Sequence, residues 1–136
     1  KGTNQMKVPL RFDSRVELHE KTDIFDFKLS FEDKIDVIVA DISFLSLREI
    51  LKYAKKYLAN EKTKFLVMLK PQFEARSNQL NKGIVKNEKI RREILTDFEK
   101  WLKEEHFLII KKHDNELRGR NGNLERFYWL EMEKSS

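Results

Sequence analysis

The stretch FLVMLKPQFE, residues 65–74, carries the reading of the fold. Five apolar residues, Phe65 to Leu69, run straight into a lysine and a proline. A run of that length bounded by a turn signal is a buried strand. Proline restricts the residue before it to extended geometry, so the backbone of Lys70 is fixed at the strand's tip. A lysine held there is either a solvated strand end or a working group.

Outward in both directions, strands alternate with amphipathic helices. DVIVADI, residues 36–42, contains the β-branched-rich run Val37, Ile38, Val39, Ala40, the mark of a strand covered on both faces. A helix follows, with Leu47, Ile50, Leu51, Ala54 and Leu58 on one face and Ser46 with Glu49 as a capping box. After the strand that ends at Lys70, a loop spanning residues 71–85 leads to a second helix. Asn87 caps it, and Ile90, Ile94, Phe98, Trp101 and Leu102 anchor it. Its Lys89, Arg91, Arg92, Lys100 and Lys103 read as a solvated face. FLIIKK and LERFYWLEM flank a polar turn too short for a crossover helix, so they predict an antiparallel hairpin. Near the start, Val16 to Leu18 is a weak candidate for a first strand. The pattern is that of an α/β domain with strands layered between helices.

Composition narrows the function. The 136 residues make one domain's worth of chain, and a 40% hydrophobic content with ten Phe supports a packed core. The net charge of +5 favours polyanionic partners. With no cysteine and only His19, His106 and His113, neither disulfides nor a metal site is expected. No apolar run approaches the roughly 20 residues that span a bilayer, and no signal-peptide pattern opens the chain, which reads as a cytoplasmic protein without membrane contact.

In open α/β sheets, ligands bind at the carboxyl ends of the strands. Asp41 and Lys70 fall at the ends of two strands joined by one helix, so a carboxylate and an ammonium should meet on one rim. Asp41 is otherwise a turn residue, and Glu125 in GRNGNLERF an ordinary hairpin glutamate. Beside Asp41, Lys70 is a candidate for proton abstraction. No glycine-rich phosphate loop follows an early strand.

ADISFLSL, LKPQFE, NKGIVKN and GNLE, in that order and spacing, resemble the signature blocks of the FtsJ-like methyltransferases, in the TlyA (hemolysin A) branch. The resemblance covers nearly the whole chain. It implies a Rossmann-like S-adenosylmethionine-dependent methyltransferase fold, ending in an antiparallel β-hairpin, and 2′-O-ribose methylation of ribosomal RNA. In that family a Lys, Asp, Lys, Glu set is catalytic, and the matching residues are Asp41, Lys70 and Glu125. The first lysine and the glycine-rich cofactor loop would belong upstream of Lys1, as would the family's amino-terminal RNA-binding domain. The expectation is therefore a partial methyltransferase domain over residues 1–136, truncated at its amino end. It would be inactive alone, with sheet edges exposed for pairing or a homo-oligomer.

On the cofactor side the resemblance implies Asp23, Ile24 and Asp41. For RNA, or the ribosomal subunit, the basic residues on rim loops, Lys82, Lys86, Arg118 and Arg120, are the candidates, with solvated charges as the other reading. Two departures bear on that side: KGIV replaces a family KGGIV loop at Lys82 to Val85, and Glu116-Leu117 replaces a Ser-Pro. The alternatives are a catalytically silent RNA-binding module and, following the hemolysin name, a membrane-active protein.

Overall fold

The computed structural model describes residues 6–8, 10–29, 34–115 and 122–134. It divides into two compact units, Lys1–Glu32 and Asp33–Ser136.

The first unit holds two short 3-10 turns, Leu10–Phe12 and Ile24–Asp26, and no strand among its described residues. The strand expected at Val16 to Leu18 is not formed. The chain turns there instead: the Val16 amide donates to the Asp13 carbonyl at 2.9 Å, and the Arg15 guanidinium grips the Asp13 carboxylate at 2.8 and 3.0 Å. An amide spent on a turn cannot enter a ladder. Arg11 reaches Glu20 at 2.6 Å, and His19 meets Phe27 edge to face.

The second unit contains β1 (Val37–Ala40), α1 (Leu47–Tyr53, continued by a π-turn over Ala54–Leu58), β2 (Lys64–Leu69), β3 (Leu80–Asn81), β4 (Ile84–Val85), α2 (Glu88–Glu104), β5 (Phe107–Asp114) and β6 (Arg126–Met132). Four strands form one sheet in the order β1-β2-β6-β5, and β3 with β4 makes a small separate hairpin. β1 and β2 are parallel, with Val37 opposite Lys64 and Ala40 opposite Val67. β6 runs antiparallel to both β2 and β5, so the expected terminal hairpin forms.

Alternation along β2 shows why this sequence makes a sheet. Phe65, Val67 and Leu69 are fully buried beside Tyr128 and Leu130 of β6, while Leu66 and Met68 point to the other face and are half-buried. The helices bury the stripes read from the sequence: Leu47, Ile50, Leu51, Ala54 and Leu58 from the first, and Ile94, Phe98 and Leu102 from the second. Phe98 sits 5.4 Å from Tyr128, and Phe65 meets Phe107 edge to face.

Three more expectations are corrected. Arg91, read as part of a solvated face, is buried at 6% exposure. β1 is not covered on both faces: it is an edge strand, and Val37 and Val39 are exposed within a run that composition alone reads as interior. The start of α1 is not a Ser46–Glu49 capping box. Ser46 is the N-cap, accepting from the Arg48 amide, but the carboxylate that reaches the helix end is Glu74, which accepts from Ser46 Oγ at 2.7 Å and the Leu47 amide at 2.8 Å. Its side chain is 3% exposed, and burial pushes its carboxyl above the ordinary range against these hydrogen bonds and Arg48.

An ion network ties the β5–β6 hairpin to α2. Glu99 accepts from Tyr128 Oη and Lys112, both at 2.8 Å, and pairs with Arg126 at 3.1 Å. Arg126 continues to Asp114 at 2.8 Å, and Asp114 to Arg91 at 2.7 Å. Burial pushes the Glu99 carboxyl up, but Lys112, Tyr128 and Arg126 outweigh it and hold it below its usual value; the Arg126 hydrogen bond does the same for Asp114. A depressed native pKa means the unfolded chain takes up the proton first. The network's contribution is therefore complete above the ordinary values of 4.5 and 3.8, and it is lost as pH falls below them and through the lowered native values. Thermal melts across that window should show Tm dropping with pH, and Glu99→Gln should flatten the profile. An unchanged profile in the variant would remove Glu99 from the account.

Among the described residues no helix is long and apolar enough to cross a membrane.

Candidate functional site

Because β1 and β2 run in one direction and β6 in the other, the ends of the first two strands and the start of the third share one rim of the sheet. Asp41 directly follows β1, Lys70 directly follows β2, and Glu125 directly precedes β6.

The pair expected from strand-end logic is formed. Lys70 Nζ lies 2.6 Å from Asp41 Oδ1 and donates to Ser43 Oγ at 3.2 Å. The lysine is 15% exposed and the aspartate 62% exposed, so the ammonium is set into the rim while the carboxylate faces outward. Lys70 is extended, at φ −109° and ψ 101°, as the following proline demands, and Pro71 then opens a 3-10 turn over residues 71–73.

Glu125 is buried, and its carboxylate accepts from Gln72 Nε2 at 2.9 Å. The β2–β6 register ends at Leu69 opposite Arg126, so the next position would set Lys70 opposite Glu125. The direct hydrogen bond to Glu125 nonetheless comes from Gln72, a residue that sequence reasoning passed over although it lies inside LKPQFE.

Asn123, Leu124 and Glu125, the three residues that lead into β6, are each tethered. Asn123 Oδ1 accepts from the Val85 amide at 3.0 Å, and its Nδ2 donates to the Gly83 carbonyl at 3.1 Å. Arg91 Nε donates to the Leu124 carbonyl at 3.0 Å, and the Asn115 amide to the Glu125 carbonyl at 2.8 Å. These tethers fix the approach to Glu125. They also dock the β3–β4 hairpin, whose Lys82 and Gly83 both take positive φ in a two-residue turn. The exposed Lys82 and Lys86 are thus carried on a loop anchored two residues from Glu125. Arg118 and Arg120 lie outside the described residues.

Asp23 and Ile24 belong to the first unit. Asp23 caps the turn there, accepting from the Phe25 amide at 2.9 Å.

Phe44, three residues after Asp41, was also missed. It adopts φ 68°, the left-handed region that costs a bulky residue about 1–3 kcal/mol. Its ring is 79% exposed and lies 5.1 Å from that of Phe73, beside the rim.

Known proteins resemble this chain in sequence and in fold. The family model described as FtsJ-like methyltransferase matches residues 1–132. The chain is 34% identical over 130 residues to the 23S rRNA (cytidine-2′-O)-methyltransferase TlyA of Campylobacter jejuni, covering 94% of this chain and 49% of that one. It is 33% identical to Hemolysin A of Brachyspira hyodysenteriae over 127 residues, covering 91% of this chain and 52% of the relative. A solved structure of a candidate hemolysin from Streptococcus thermophilus superposes with a TM-score of 0.87 at 29% identity, covering 98% of this chain and 49% of that chain. The chain spans about half the length of the curated relatives it matches. It has the mixed α/β fold of these proteins and belongs to the FtsJ-like methyltransferase family.

Proposed function

We propose that this chain supplies the acid–base rim of an enzyme that methylates ribose 2′-hydroxyls of ribosomal RNA with S-adenosylmethionine as methyl donor. The observation that carries the reading is the Lys70–Asp41 pair at 2.6 Å on the strand-end rim, with Glu125 tethered at the neighbouring position.

The residues present fit one side of that cofactor. A sulfonium compound bearing an ammonium group suits a carboxylate, and Asp41 offers one that faces outward at a strand end. The described glycines, Gly83 and Gly122, lie in the β3–β4 turn and before β6, so neither makes a cradle behind a strand. Asp41 would hold the cofactor side of the rim; Asp23 and Ile24, in the first unit, are the adenine contacts that the resemblance implies. When bound, S-adenosylmethionine supplies a methyl carbon on an excellent leaving group, so the protein's work is to place the acceptor oxygen and take its proton. Lys70 orients the ribose hydroxyl. As the oxygen–methyl bond forms and the methyl–sulfur bond breaks, the hydroxyl proton passes along the Lys70–Asp41 pair, the ammonium donating to Asp41 as it takes up the proton from the hydroxyl. Glu125 and Gln72 keep the lysine's end of the rim in register. Lys82 and Lys86, with Arg118 and Arg120, would take the RNA phosphates, which makes binding fall steeply with salt.

The test is transfer of isotopic methyl from S-adenosylmethionine into unmodified ribosomal RNA by the complete gene product carrying this sequence. The label should sit on ribose and make the adjoining phosphodiester resistant to alkali. Label on a base, or no incorporation into RNA or ribosomal subunits, would sink the reading.

A further inference from the structure

We propose that the cleft between α1, α2 and the segment leading to β3 binds a nucleotide phosphate, with Arg48 and Arg76 as its anion-binding pair. The inference goes beyond the methyltransferase reading and does not depend on it. The cleft encloses about 360 Å³, within the range of small-molecule sites. Arg48 enters it from the first turn of α1, and Arg76 from the segment before β3. Arg48 is held in place without being spent. Its guanidinium lies over the rings of Phe98 at 5.9 Å and Trp101 at 5.8 Å. Its Nε is buried and donates to no acceptor, since Glu74 Oε1 is 3.6 Å away, beyond hydrogen-bonding reach. Glu74 is committed instead to Ser46 Oγ and the Leu47 amide. A buried N–H left without an acceptor is uncommon and calls for an explanation. Arg76 is exposed and joins no ion pair among the described residues.

Two guanidinium forks on one cleft need an acceptor with oxygens on more than one side. A phosphate accepts from both, whereas the two oxygens of a carboxylate are filled by one fork. The cleft is roomier than a bare phosphate needs, and Phe73 and Ile94 give it an apolar wall for a sugar or base. Asp97, exposed on α2, is the acid in the lining that opposes an anion. A free nucleotide and an RNA strand both carry the required group. The cleft adjoins the rim, because Phe73 stands on the turn after Lys70 and Ser46 closes the connection that carries Asp41 and Ser43.

The experiment titrates adenosine 5′-monophosphate, and separately a single-stranded RNA tetramer, into the complete gene product by calorimetry, with S-adenosylmethionine in excess so that the probes cannot report on its site. Arg76→Ala should raise Kd about 10- to 100-fold, the weight of hydrogen bonds to a charged group. Arg76→Lys should recover only part of the loss, since it restores the charge without the fork. Asp97→Asn should lower Kd roughly 2- to 5-fold by removing the opposing charge. Tm should hold in all three variants, because both side chains belong to exposed residues. Tighter binding of the tetramer, with the same loss in Arg76→Ala, would assign the phosphate to an RNA strand. Tighter binding of the mononucleotide, with that loss, would assign it to a free nucleotide. The proposal fails if neither probe binds the unsubstituted protein, or if Arg76→Ala leaves Kd for both within about twofold.

Discussion

Lys70→Ala should lower methyl transfer to ribosomal RNA by about 10²- to 10⁴-fold, the range that a positioned proton-transfer group contributes. The loss should fall on kcat. Lys70 touches both Asp41 and Ser43, and its removal takes away the group placed to orient the acceptor hydroxyl and pass on its proton. Misfolding would not account for the effect. The lysine stands at the strand's tip, outside the Phe65, Val67, Leu69 row, and the carboxylate it leaves behind is 62% exposed and hydrated without penalty. Lys70→Arg should not rescue, because a guanidinium does not release its proton and its planar fork replaces the single ammonium donor that pairs with both Asp41 and Ser43. Single-turnover rates at saturating RNA and cofactor, with binding of each measured separately, make the check. Turnover within a few-fold of the unsubstituted protein would end the assignment of Lys70 as the acid–base group.

The Lys70–Asp41 pair was legible in the sequence because it depends on local facts. A greasy run stops at a lysine, a proline fixes that lysine's backbone, and a single helix joins the two strands, which makes them parallel neighbours. The helix stripes were legible for the same reason: a period of 3.6 residues is written in the chain itself. What escaped depends on partners far along the chain. Val37 to Ala40 has the composition of an interior strand, but whether it is covered depends on what lies beyond the edge. Glu74 displaces Glu49 from the helix start because residues 71–74 fold back over Ser46, a contact 28 positions apart. Gln72 meets Glu125 across 53 positions, and Asn123 meets Val85 across 38. No periodicity announces such pairings. The positive φ of Phe44 is the least legible feature, since a phenylalanine is among the last residues expected there.

Phe98→Ala should destabilise the protein by about 3–5 kcal/mol, the range for removing a fully buried phenylalanine. The side chain is completely buried on the inner face of α2, with Tyr128 at 5.4 Å, Trp101 stacked at 5.9 Å and the Arg48 guanidinium over the ring at 5.9 Å. Transfer of the ring from water accounts for about 1.5–3 kcal/mol of that cost. The remainder is the cavity, which the surroundings cannot close. Tyr128 is pinned by its hydroxyl to Glu99, and Arg48 sits one residue beyond its anchored helix start, so neither is free to slide into the gap. Phe98→Leu keeps much of the volume and should cost less than half as much. Urea melts should show a lower midpoint with an unchanged slope, since the same surface is exposed on unfolding. Tm should fall on the order of 10–20 °C for a chain of this size. Because Phe98 lies beneath the sheet, whereas Lys70 and Asp41 stand at its strand-end rim, the folded fraction of the variant should turn over at the unsubstituted rate below its transition. A loss under about 1 kcal/mol would mean that the core around Tyr128 is loosely packed. A kcat that falls in step with stability at low temperature would mean that core and rim move together.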